Sequence, residues 1–273
     1  MVVDRGRRAA VLGSPVEHSR SPQLHLAAYR TLGLTDWTYE RVDCTAEQLP
    51  GYVSGLGPEW VGLSVTMPGK LAALAFADER TDRAVAVGSA NTLVRTDRGW
   101  RADCTDVDGV QGALTDGGVG DLTNTSAVVV GAGGTARPAL VALAGMDVRE
   151  VTLVARSRDR AVGAVQCGID AGLEMRFVEI DDPRLGAVVK DCAALVSTVP
   201  AVGAEPYADV LGSAPFVLDA IYDPWPTPLA EAVRRKGGIV VGGLEMLLNQ
   251  AYDQVAQFTG MAAPREVMRA ALD

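Results

Sequence analysis

The chain has 273 residues, of which 48% are hydrophobic and 22% are charged, and its formal net charge at pH 7 is -9. This length fits one large domain or two modest ones, and the negative charge argues against broad binding to nucleic acid or anionic membranes, which require positive surfaces. Any anionic ligand must therefore be bound by local cations or backbone N–H groups.

The composition also limits metal and disulfide chemistry. The cysteines are widely spaced and there are only two histidines, these residues being Cys44, Cys104, Cys167, Cys192, His18 and His25. We expect no metal site and no disulfide framework. With two histidines in the chain, a catalytic triad centred on histidine is also not expected. The N-terminal sequence contains no apolar run long enough for a signal peptide or a membrane span, so a cytoplasmic location is expected.

The first part of the chain, before residue 106, predicts an α/β unit with a mainly parallel sheet. Short runs rich in β-branched and aromatic residues are typical of strands. The predicted strands cover residues 9–12, 37–42, 61–66, 92–95 and 99–102.

A loop with two serines precedes the first predicted helix. It contains the sequence His18-Ser19-Arg20-Ser21-Pro22, in which Ser21 before a proline is a good helix N-cap. Capping alone could explain this serine. Two hydroxyl groups beside the positive end of a helix also make a carboxylate-binding site, so both interpretations stay open.

Lys70 lies at the start of a helix predicted over residues 71–77, just after a predicted strand. A cation at that position opposes the helix dipole by roughly 0.3 to 1 kcal/mol, so surface stability alone does not favour it. The dipole helps to release an ammonium proton, whereas a nearby carboxylate holds it. Lys70 is therefore a candidate acid for a developing alkoxide, with an ordinary surface lysine as the alternative.

Asp106 opens a second predicted helix, in which Val107, Val110 and Leu114 share one face. Thr105 and Asp108 around it resemble a capping box, and an aspartate is favourable in a first helical turn. Capping therefore explains Asp106 as well as a chemical role does.

From residue 126 onward, strand-like runs alternate with segments that are long enough for crossover helices. This pattern predicts a doubly wound parallel sheet of the Rossmann type. The predicted strands cover residues 126–130, 151–155, 175–180, 194–199, 216–221 and 238–241.

The first of these runs leads directly into a glycine-rich turn and then into an apolar helical segment. Residues without a Cβ atom let backbone N–H groups and a helix N-terminus approach a pyrophosphate closely. A purely structural turn is the alternative. The candidate cofactor residues of the turn are Gly131, Ala132, Gly133, Gly134, Thr135 and Ala136.

The residues after the second run distinguish NADP from NAD. A protein that binds NAD would carry Asp or Glu there to hold the ribose 2′-hydroxyl. The residues in this chain are Arg156, Ser157, Arg158 and Arg160. Because guanidinium groups bind phosphate bidentately, NADP(H) is predicted, with a solvated helix start as the alternative.

The last part of the chain predicts an amphipathic helix over residues 244–258, whose apolar face needs a partner surface. We expect this helix to return to the first domain. The predicted domains are therefore residues 1–105 plus 244–273 and residues 106–243.

Together these motifs resemble the shikimate dehydrogenase family over nearly the whole chain. The matching segments are residues 13–24 with the core H-S-R-S-P, residues 64–70 (S-V-T-M-P-G-K), residues 90–93 (A-N-T-L), Thr105-Asp106, the glycine turn, and residues 243–250. The resemblance implies a reversible, NADPH-dependent reduction of 3-dehydroshikimate to shikimate, in the pathway to chorismate and aromatic amino acids. It also implies that the first domain binds substrate and that the second binds NADP.

The resemblance further implies a role for each matching residue. Lys70 and Asp106 form the catalytic pair, with Lys70 as proton donor and Asp106 orienting it and a ring hydroxyl. The implied substrate ligands are Ser19, Ser21 and Tyr222 for the carboxylate and Thr66, Asn91 and Gln250 for the ring hydroxyls. The implied cofactor contacts are Ala132, Gly133 and Gly134 with the pyrophosphate, Arg156, Ser157 and Arg160 with the 2′-phosphate, and Thr198, Val199 and Gly243 with the nicotinamide side.

Two positions depart from the family pattern. Cys104 replaces an asparagine that usually precedes the Thr-Asp pair, and Ala155 replaces a frequent asparagine before Arg156. Cys104 leaves open a paralogue that acts on quinate or an amino-substituted shikimate, and a non-catalytic NADPH-binding sensor is the alternative from another class. The expected partner is a small-molecule substrate rather than nucleic acid or membrane, and a homodimer is allowed.

Overall fold

The computed structural model describes residues 6–272, which form two compact α/β units. The first unit comprises the chain up to Thr105 together with the segment from Leu248 onward, and the second runs from Asp106 to Leu247. The outer ends of the predicted first domain, residues 1–5 and Asp273, lie outside the described residues.

The first unit is built on a six-stranded mixed sheet with the order β2-β1-β3-β5-β6-β4. Its strands are β1 (Arg8–Gly13), β2 (Thr38–Asp43), β3 (Trp60–Val65), β4 (Glu79–Arg80), β5 (Thr92–Thr96) and β6 (Gly99–Asp103). Strand β5 is antiparallel to β3 and β6, whereas the other pairs are parallel. The helices between them are α1 (Ser21–Thr31), α2 (Leu49–Ser54), α3 (Lys70–Phe76) and α4 (Asp82–Val87).

Side chains that alternate along the central strand β1 fill a core on each face of this sheet. Ala10 and Leu12 join one buried cluster, while Ala9 and Val11 join the other. A strand covered on both faces reads as a continuous apolar run, which explains why β1 was predicted from sequence. Strand β4 was not predicted, because two residues contain no periodic pattern.

The second unit is a parallel sheet with the order β12-β11-β10-β7-β8-β9. Its strands are β7 (Ser126–Val130), β8 (Glu150–Ala155), β9 (Glu174–Glu179), β10 (Ala194–Ser197), β11 (Phe216–Asp219) and β12 (Ile239–Gly242). Numbered within this unit, the strands follow the order 3-2-1-4-5-6 of a dinucleotide-binding fold, so the predicted Rossmann-type sheet is confirmed.

Helices separate these strands, as parallel pairing requires. They are α5 (Asp106–Asp116), α6 (Ala136–Gly145), α7 (Arg158–Asp170), α8 (Leu185–Asp191), α9 (Ala201–Ala204), α10 (Ala208–Leu211) and α11 (Pro228–Arg235), with a 3-10 turn at Glu205–Tyr207. The four cysteines, which all lie among the described residues, are buried and form no disulfide. Within residues 6–272, no helix has the length and apolar character needed to cross a membrane.

The long helix α12 (Gly243–Thr259) begins in the second unit and ends in the first, and α13 (Arg265–Ala270) follows it. Phe258 of α12 packs in the core beside β1. A Cβ atom at Gly62 of β3 would lie 2.1 Å from the Phe258 ring, so this glycine makes room for the helix. The predicted return of the C-terminal helix to the first unit is confirmed.

A buried ion cluster also fastens α12 to the first unit. Asp103, at the end of β6, is only 3% exposed and accepts hydrogen bonds from Arg83 at 2.6 and 2.5 Å. Gln257 of α12 donates to the same carboxylate at 2.7 Å, and Arg83 pairs with Asp253 of α12 at 2.6 Å. Burial alone would raise the pKa of Asp103, but hydrogen bonds from Arg83, Thr81 and Gln257 hold it at about 2.

We expect Asp103→Asn to lower the free energy of unfolding at pH 7 by about 2 to 4 kcal/mol, because it leaves Arg83 without its buried partner. A carboxylate with a depressed pKa stabilises the fold fully above its unfolded value of 3.8, and this stability is lost as the pH falls towards 2. The melting temperature of the wild type should therefore fall more steeply than that of Asp103→Asn between pH 4 and pH 2.

The matched control is Asp253→Asn, which removes the more exposed partner of Arg83 and should cost less than about 1 kcal/mol. Equal acid sensitivity of the wild type and Asp103→Asn would contradict this account of the cluster.

Candidate functional site

One edge of the first unit's sheet brings together the segments that carry most of the predicted substrate residues. The carboxyl ends of β1, β3 and β6 meet the amino end of β5 there, because β5 is antiparallel to its neighbours. The segments at this edge carry Ser19, Ser21, Thr66, Lys70 and Asn91. The reversal of one strand thus brings Asn91 to the edge at which the preceding parallel strands end.

Thr66 is held against the end of β1. Its N–H donates to the carbonyl of Leu12 at 2.8 Å, and the N–H of Ser14 donates to the carbonyl of Met67 at 3.0 Å. A Cβ atom at Gly13 would lie 2.3 Å from Thr66 Cγ2, so the approach of the two segments requires glycine.

The serine loop differs from the prediction in one respect. Helix α1 begins at Ser21 with Arg20 as its N-cap residue, so the prediction that Ser21 caps the helix is wrong. The hydroxyl of Ser19 is the one that accepts from the Ser21 N–H, at 3.3 Å, and it also donates to the Ser21 hydroxyl at 3.2 Å. The structure therefore brings the two predicted carboxylate ligands together.

Arg41 of strand β2 contacts this loop, and the sequence analysis did not predict that contact. Its Nε and Nη2 atoms donate to the backbone carbonyl of Ser19 at 2.9 and 2.6 Å. An arginine that alternates with other polar residues on an edge strand carries no sequence signal for this contact.

Lys70 is the first residue of α3, with Gly69 as the N-cap residue, so its predicted position in the first helical turn is confirmed. The backbone carbonyl of Lys70 accepts from the Ala90 N–H at 3.0 Å, which ties the start of α3 to the segment before β5. The lysine is half-buried at this helix start.

Asn91 is the centre of a buried amide network and is 2% exposed. Its Oδ1 atom accepts from the Thr105 N–H at 2.7 Å and from the Thr92 hydroxyl at 2.9 Å. Its Nδ2 atom donates to Thr105 Oγ1 at 3.0 Å and to Gln250 Oε1 of α12 at 2.8 Å. Asn91 and Gln250, predicted as ring-hydroxyl ligands, are therefore in direct contact.

Asp106 is the first residue of α5 and is buried. A carboxylate in a first helical turn is stabilised by the helix dipole and by backbone N–H groups. Cys104, the departure from the family pattern, is also buried, and its N–H donates to Asp103 Oδ1 at 2.8 Å. The ion cluster of Asp103 thus holds the backbone at this cysteine.

In the second unit, the glycine turn begins at a position that only glycine can occupy. Gly131 has a φ of 108°, and a Cβ atom there would lie 2.4 Å from Thr198 Oγ1. Thr198, at the end of β10, donates from its N–H and its hydroxyl to the Val130 carbonyl at 2.9 and 2.8 Å. The structure therefore brings the predicted residues Gly131, Thr198 and Val199 together at the carboxyl ends of β7 and β10.

The rest of the turn leaves open space in front of a helix N-terminus. Gly133 and Gly134 are exposed, and no neighbouring heavy atom lies within 4 Å of a Cβ atom built on either residue. Helix α6 starts immediately afterwards, and the side chain of its N-cap residue Thr135 makes no capping hydrogen bond. Backbone N–H groups at the start of a ten-residue helix, beside a space that a Cβ atom would fill, fit a pyrophosphate.

The three arginines after β8 are all exposed, and the half-buried Ser157 is the N-cap residue of α7. Arg158 differs from Arg156 and Arg160 in one contact, since its guanidinium lies 4.6 Å from the centroid of the Phe177 ring of β9. Arg156 and Arg160 are therefore the better candidates for a 2′-phosphate site.

Gly243 lies at the start of α12, beside the segment that follows β11. Its N–H donates to the Ile221 carbonyl at 3.1 Å, and a Cβ atom there would lie 2.2 Å from the Ala220 carbonyl oxygen. Close packing of the two segments therefore requires glycine, and it brings Gly243 near the loop that bears Tyr222.

Asp219 organises this loop, although the sequence analysis placed it only within the predicted strand 216–221. It is buried, and burial raises its pKa. Its carboxylate accepts from the Thr227 hydroxyl at 2.6 Å and from the Ile221 N–H at 3.3 Å. A threonine just before Pro228, at a helix start, was the available signal for such a contact.

The two units together define an α/β protein that pairs a Rossmann-type nucleotide-binding unit with a second unit of mixed sheet. Among the described residues 6–272, no group of three or more His, Cys, Asp or Glu side chains is placed to hold a metal ion.

Comparisons with known proteins identify the family. The model of the shikimate dehydrogenase substrate binding domain matches residues 11–93, and that of the shikimate 5'-dehydrogenase C-terminal domain matches residues 243–272. The shikimate dehydrogenase (NADP(+)) of Methylobacterium radiotolerans is 37% identical over 272 residues, covering 94% of this chain and 92% of the relative. The crystal structure of Mycobacterium tuberculosis shikimate dehydrogenase is similar at 59% identity and a TM-score of 0.93, covering 97% and 98% of the two chains. The chain belongs to the shikimate dehydrogenase family, as its motifs predicted.

A quinate dehydrogenase also shares the fold. The structure of this enzyme from Corynebacterium glutamicum, in complex with NAD, is 26% identical to the chain with a TM-score of 0.84, covering 98% of each. Its identity is less than half that of the mycobacterial shikimate dehydrogenase. The comparisons therefore favour the shikimate alternative over quinate.

Proposed function

We propose that the protein catalyses the reversible, NADPH-dependent reduction of 3-dehydroshikimate to shikimate. The observation that carries this proposal is the sheet edge of the first unit, where hydroxyl and amide side chains surround the start of the helix that bears Lys70. A polyhydroxylated ring acid offers a carboxylate and several hydroxyls, which are the groups that such side chains bind.

The second unit would hold NADPH, which supplies the hydride when bound. The backbone at Ala132, Gly133 and Gly134 would hold the pyrophosphate, and the exposed space at this turn supports that role. Arg156 and Arg160, with Ser157, would hold the 2′-phosphate. The residues on the nicotinamide side would be Thr198, Val199 and Gly243.

The first unit would bind the substrate. Ser19 and Ser21 would hold the carboxylate, and the contact of Arg41 with the Ser19 carbonyl supports a fixed loop. Tyr222, the third proposed carboxylate ligand, is a residue of the second unit. Thr66, Asn91 and Gln250 would hold the ring hydroxyls.

Lys70 would donate the proton. As hydride reaches the ketone carbon, the ketone oxygen gains negative charge and takes a proton from the lysine ammonium to become a hydroxyl. The position of Lys70 at the N-terminus of α3 supports this role, since the helix dipole favours release of the proton. Asp106 would orient the lysine and a ring hydroxyl.

A cytoplasmic location, a role in the pathway to chorismate and aromatic amino acids, and a homodimer stay predictions from the sequence.

A substrate panel tests the proposed function directly. The value of kcat/KM with NADP should be at least about tenfold higher for shikimate than for quinate or an amino-substituted shikimate, because a misfitted polar group leaves buried partners unpaired. Preference for either rival would identify a paralogue. Tight NADPH binding without turnover of any of the three would favour a sensor.

Substitution of Lys70 tests the proton donor. Lys70→Ala should lower kcat by about 100- to 10,000-fold with little change in KM for shikimate, because proton transfer belongs to the transition state. Lys190→Ala, which removes an exposed lysine of α8, is the control and should leave kcat unchanged. An unchanged kcat in Lys70→Ala would remove this lysine from the mechanism.

Replacement of the arginines tests cofactor selection. Arg156→Ala and Arg160→Ala should each raise the Kd for NADPH about tenfold or more while leaving that for NADH nearly unchanged, since only NADPH carries the 2′-phosphate. Arg158→Ala is the matched control, because this guanidinium packs on Phe177, and it should leave the ratio of the two Kd values unchanged. Equal losses for both cofactors in the Arg156 and Arg160 variants would contradict a 2′-phosphate site.

A further inference from the structure

A chain of buried hydrogen bonds extends from the Asn91–Gln250 contact to side chains that lie outside the proposed substrate site. The Tyr39 hydroxyl donates to Ser64 Oγ at 2.7 Å, and the Ser64 hydroxyl donates to Gln254 Oε1 at 2.7 Å. Tyr39, Ser64 and Gln254 are all buried, Gln254 being 3% exposed. Polar groups that are buried to this degree destabilise the fold unless they are hydrogen-bonded. This series of hydrogen bonds is therefore part of the packed interior of the first unit.

The direction of the hydrogen bonds at Gln254 is set by a backbone group. The Asn91 carbonyl oxygen can only accept, so Gln254 Nε2 donates to it, at 3.3 Å. The same nitrogen donates to Thr92 Oγ1 at 2.9 Å. The oxygen end of Gln254 therefore faces Ser64, whose hydroxyl must donate.

The direction at Asn91 is set by a second backbone group. The Thr105 N–H can only donate, so Asn91 Oδ1 accepts from it, and the Thr92 hydroxyl, which already accepts from Gln254, donates to the same oxygen. Asn91 Nδ2 consequently donates to Gln250 Oε1. The oxygen of Gln250 is thus engaged inside the protein, and its amide presents the NH2 end to other partners.

None of the side chains in this series of hydrogen bonds changes charge near neutral pH. Desolvation raises the pKa of Tyr39 and lowers that of His25, whose ring stacks on Tyr39 at a centroid distance of 4.0 Å, to about 3. The phenol therefore stays protonated and the imidazole neutral, so the direction of the bonds is the same across the working range of an enzyme.

We propose that Gln254 is a positioning residue, which fixes Thr92 and Asn91 so that Gln250 offers a hydrogen-bond donor to an oxygen of the substrate ring. The inference rests on the proposed function, in which Gln250 contacts a ring oxygen. Gln254 lies four residues after Gln250 on α12, so both side chains project from the same face of one helix. Loss of Gln254 removes the donor that sets the direction of the Thr92 hydroxyl, at 2.9 Å, whereas the Asn91 carbonyl keeps the N–H of Val65 at 2.7 Å. The substitution therefore acts on Asn91 through the Thr92 hydroxyl that donates to its side-chain oxygen.

A double-mutant cycle distinguishes positioning from a purely structural role. Gln254→Met, which keeps an unbranched side chain of similar length, should raise KM for shikimate about five- to twentyfold and leave KM for NADP unchanged. In a Gln250→Met background the same substitution should change KM for shikimate less than about twofold, because the amide that it positions is gone. Equal factors in the two backgrounds, or an unchanged KM in Gln254→Met, would overturn the proposal.

A milder variant keeps the cycle informative if Gln254→Met fails to fold. Ser64→Ala removes the hydroxyl that holds the oxygen of Gln254. It should raise KM for shikimate, and this effect should vanish in the Gln250→Met background. Gln257→Met is the matched control from the same helix, since Gln257 bonds to the Asp103 cluster, and it should leave KM for shikimate unchanged.

A second measurement separates this inference from the proposed function. In the full-length protein without substrate, the side-chain NH2 resonances of Gln250, assigned by their loss in Gln250→Met, should shift in Gln254→Met and stay in place in Gln257→Met. Unchanged Gln250 resonances in Gln254→Met would overturn the positioning role even if shikimate is oxidised. Lack of shikimate oxidation by the wild type, together with the expected shift, would instead refute only the proposed function.

Discussion

The first unit depends on one buried amide, that of Asn91. An amide buried in an apolar interior is destabilising by about 1 to 3 kcal/mol for each donor or acceptor left unpaired, so its partners must be brought to it. They come from three places in the chain: Thr92 in β5, Thr105 after β6, and Gln250 in α12. Satisfying Asn91 therefore requires both the antiparallel turn of β5 and β6 and the return of the C-terminal helix.

This requirement links stability to binding. The helix that supplies Gln250 and Gln254 is the same one that Arg83 fastens through Asp253, and Gln257 completes the cluster at Asp103. A side chain that is locked by several hydrogen bonds loses little further entropy when it binds a ligand. The first unit thus presents amide and hydroxyl groups whose orientation is already set. The second unit differs, since its glycine turn leaves open space in front of a helix N-terminus. We propose that its selectivity for NADP lies in Arg156 and Arg160.

The contrast explains how much was predictable from the sequence. Most parallel strands of the second unit contain short apolar runs, and the glycine turn and the arginines follow their strands directly, so a local pattern was sufficient to predict them. The same local reasoning placed Lys70 correctly in a first helical turn. It could not show that the guanidinium of Arg158 lies over the Phe177 ring.

Interactions between distant residues were beyond such reasoning. Gln254 and Ser64 are 190 residues apart in sequence, and neither a glutamine on a helix nor a serine in a strand indicates the other. One of the two interpretations of Ser21 was a helix cap, because it precedes a proline, whereas Ser19 supplies the hydroxyl that accepts from the Ser21 N–H. The sequence around Asp103 likewise does not indicate the four residues that donate hydrogen bonds to its carboxylate, which are Thr81, Arg83, Cys104 and Gln257.

The most direct test of the account is the binding of shikimate and NADP, measured by titration calorimetry, to the wild type and to Asn91→Asp. This substitution replaces the donor that faces Gln250 by an acceptor of nearly the same shape, so two oxygens would oppose each other. We expect the Kd for shikimate to rise at least about tenfold while that for NADP stays within about twofold, because Thr92, Thr105 and Gln250, which bond to Asn91, all belong to the first unit. An unchanged Kd for shikimate, or equal weakening of both ligands, would contradict it.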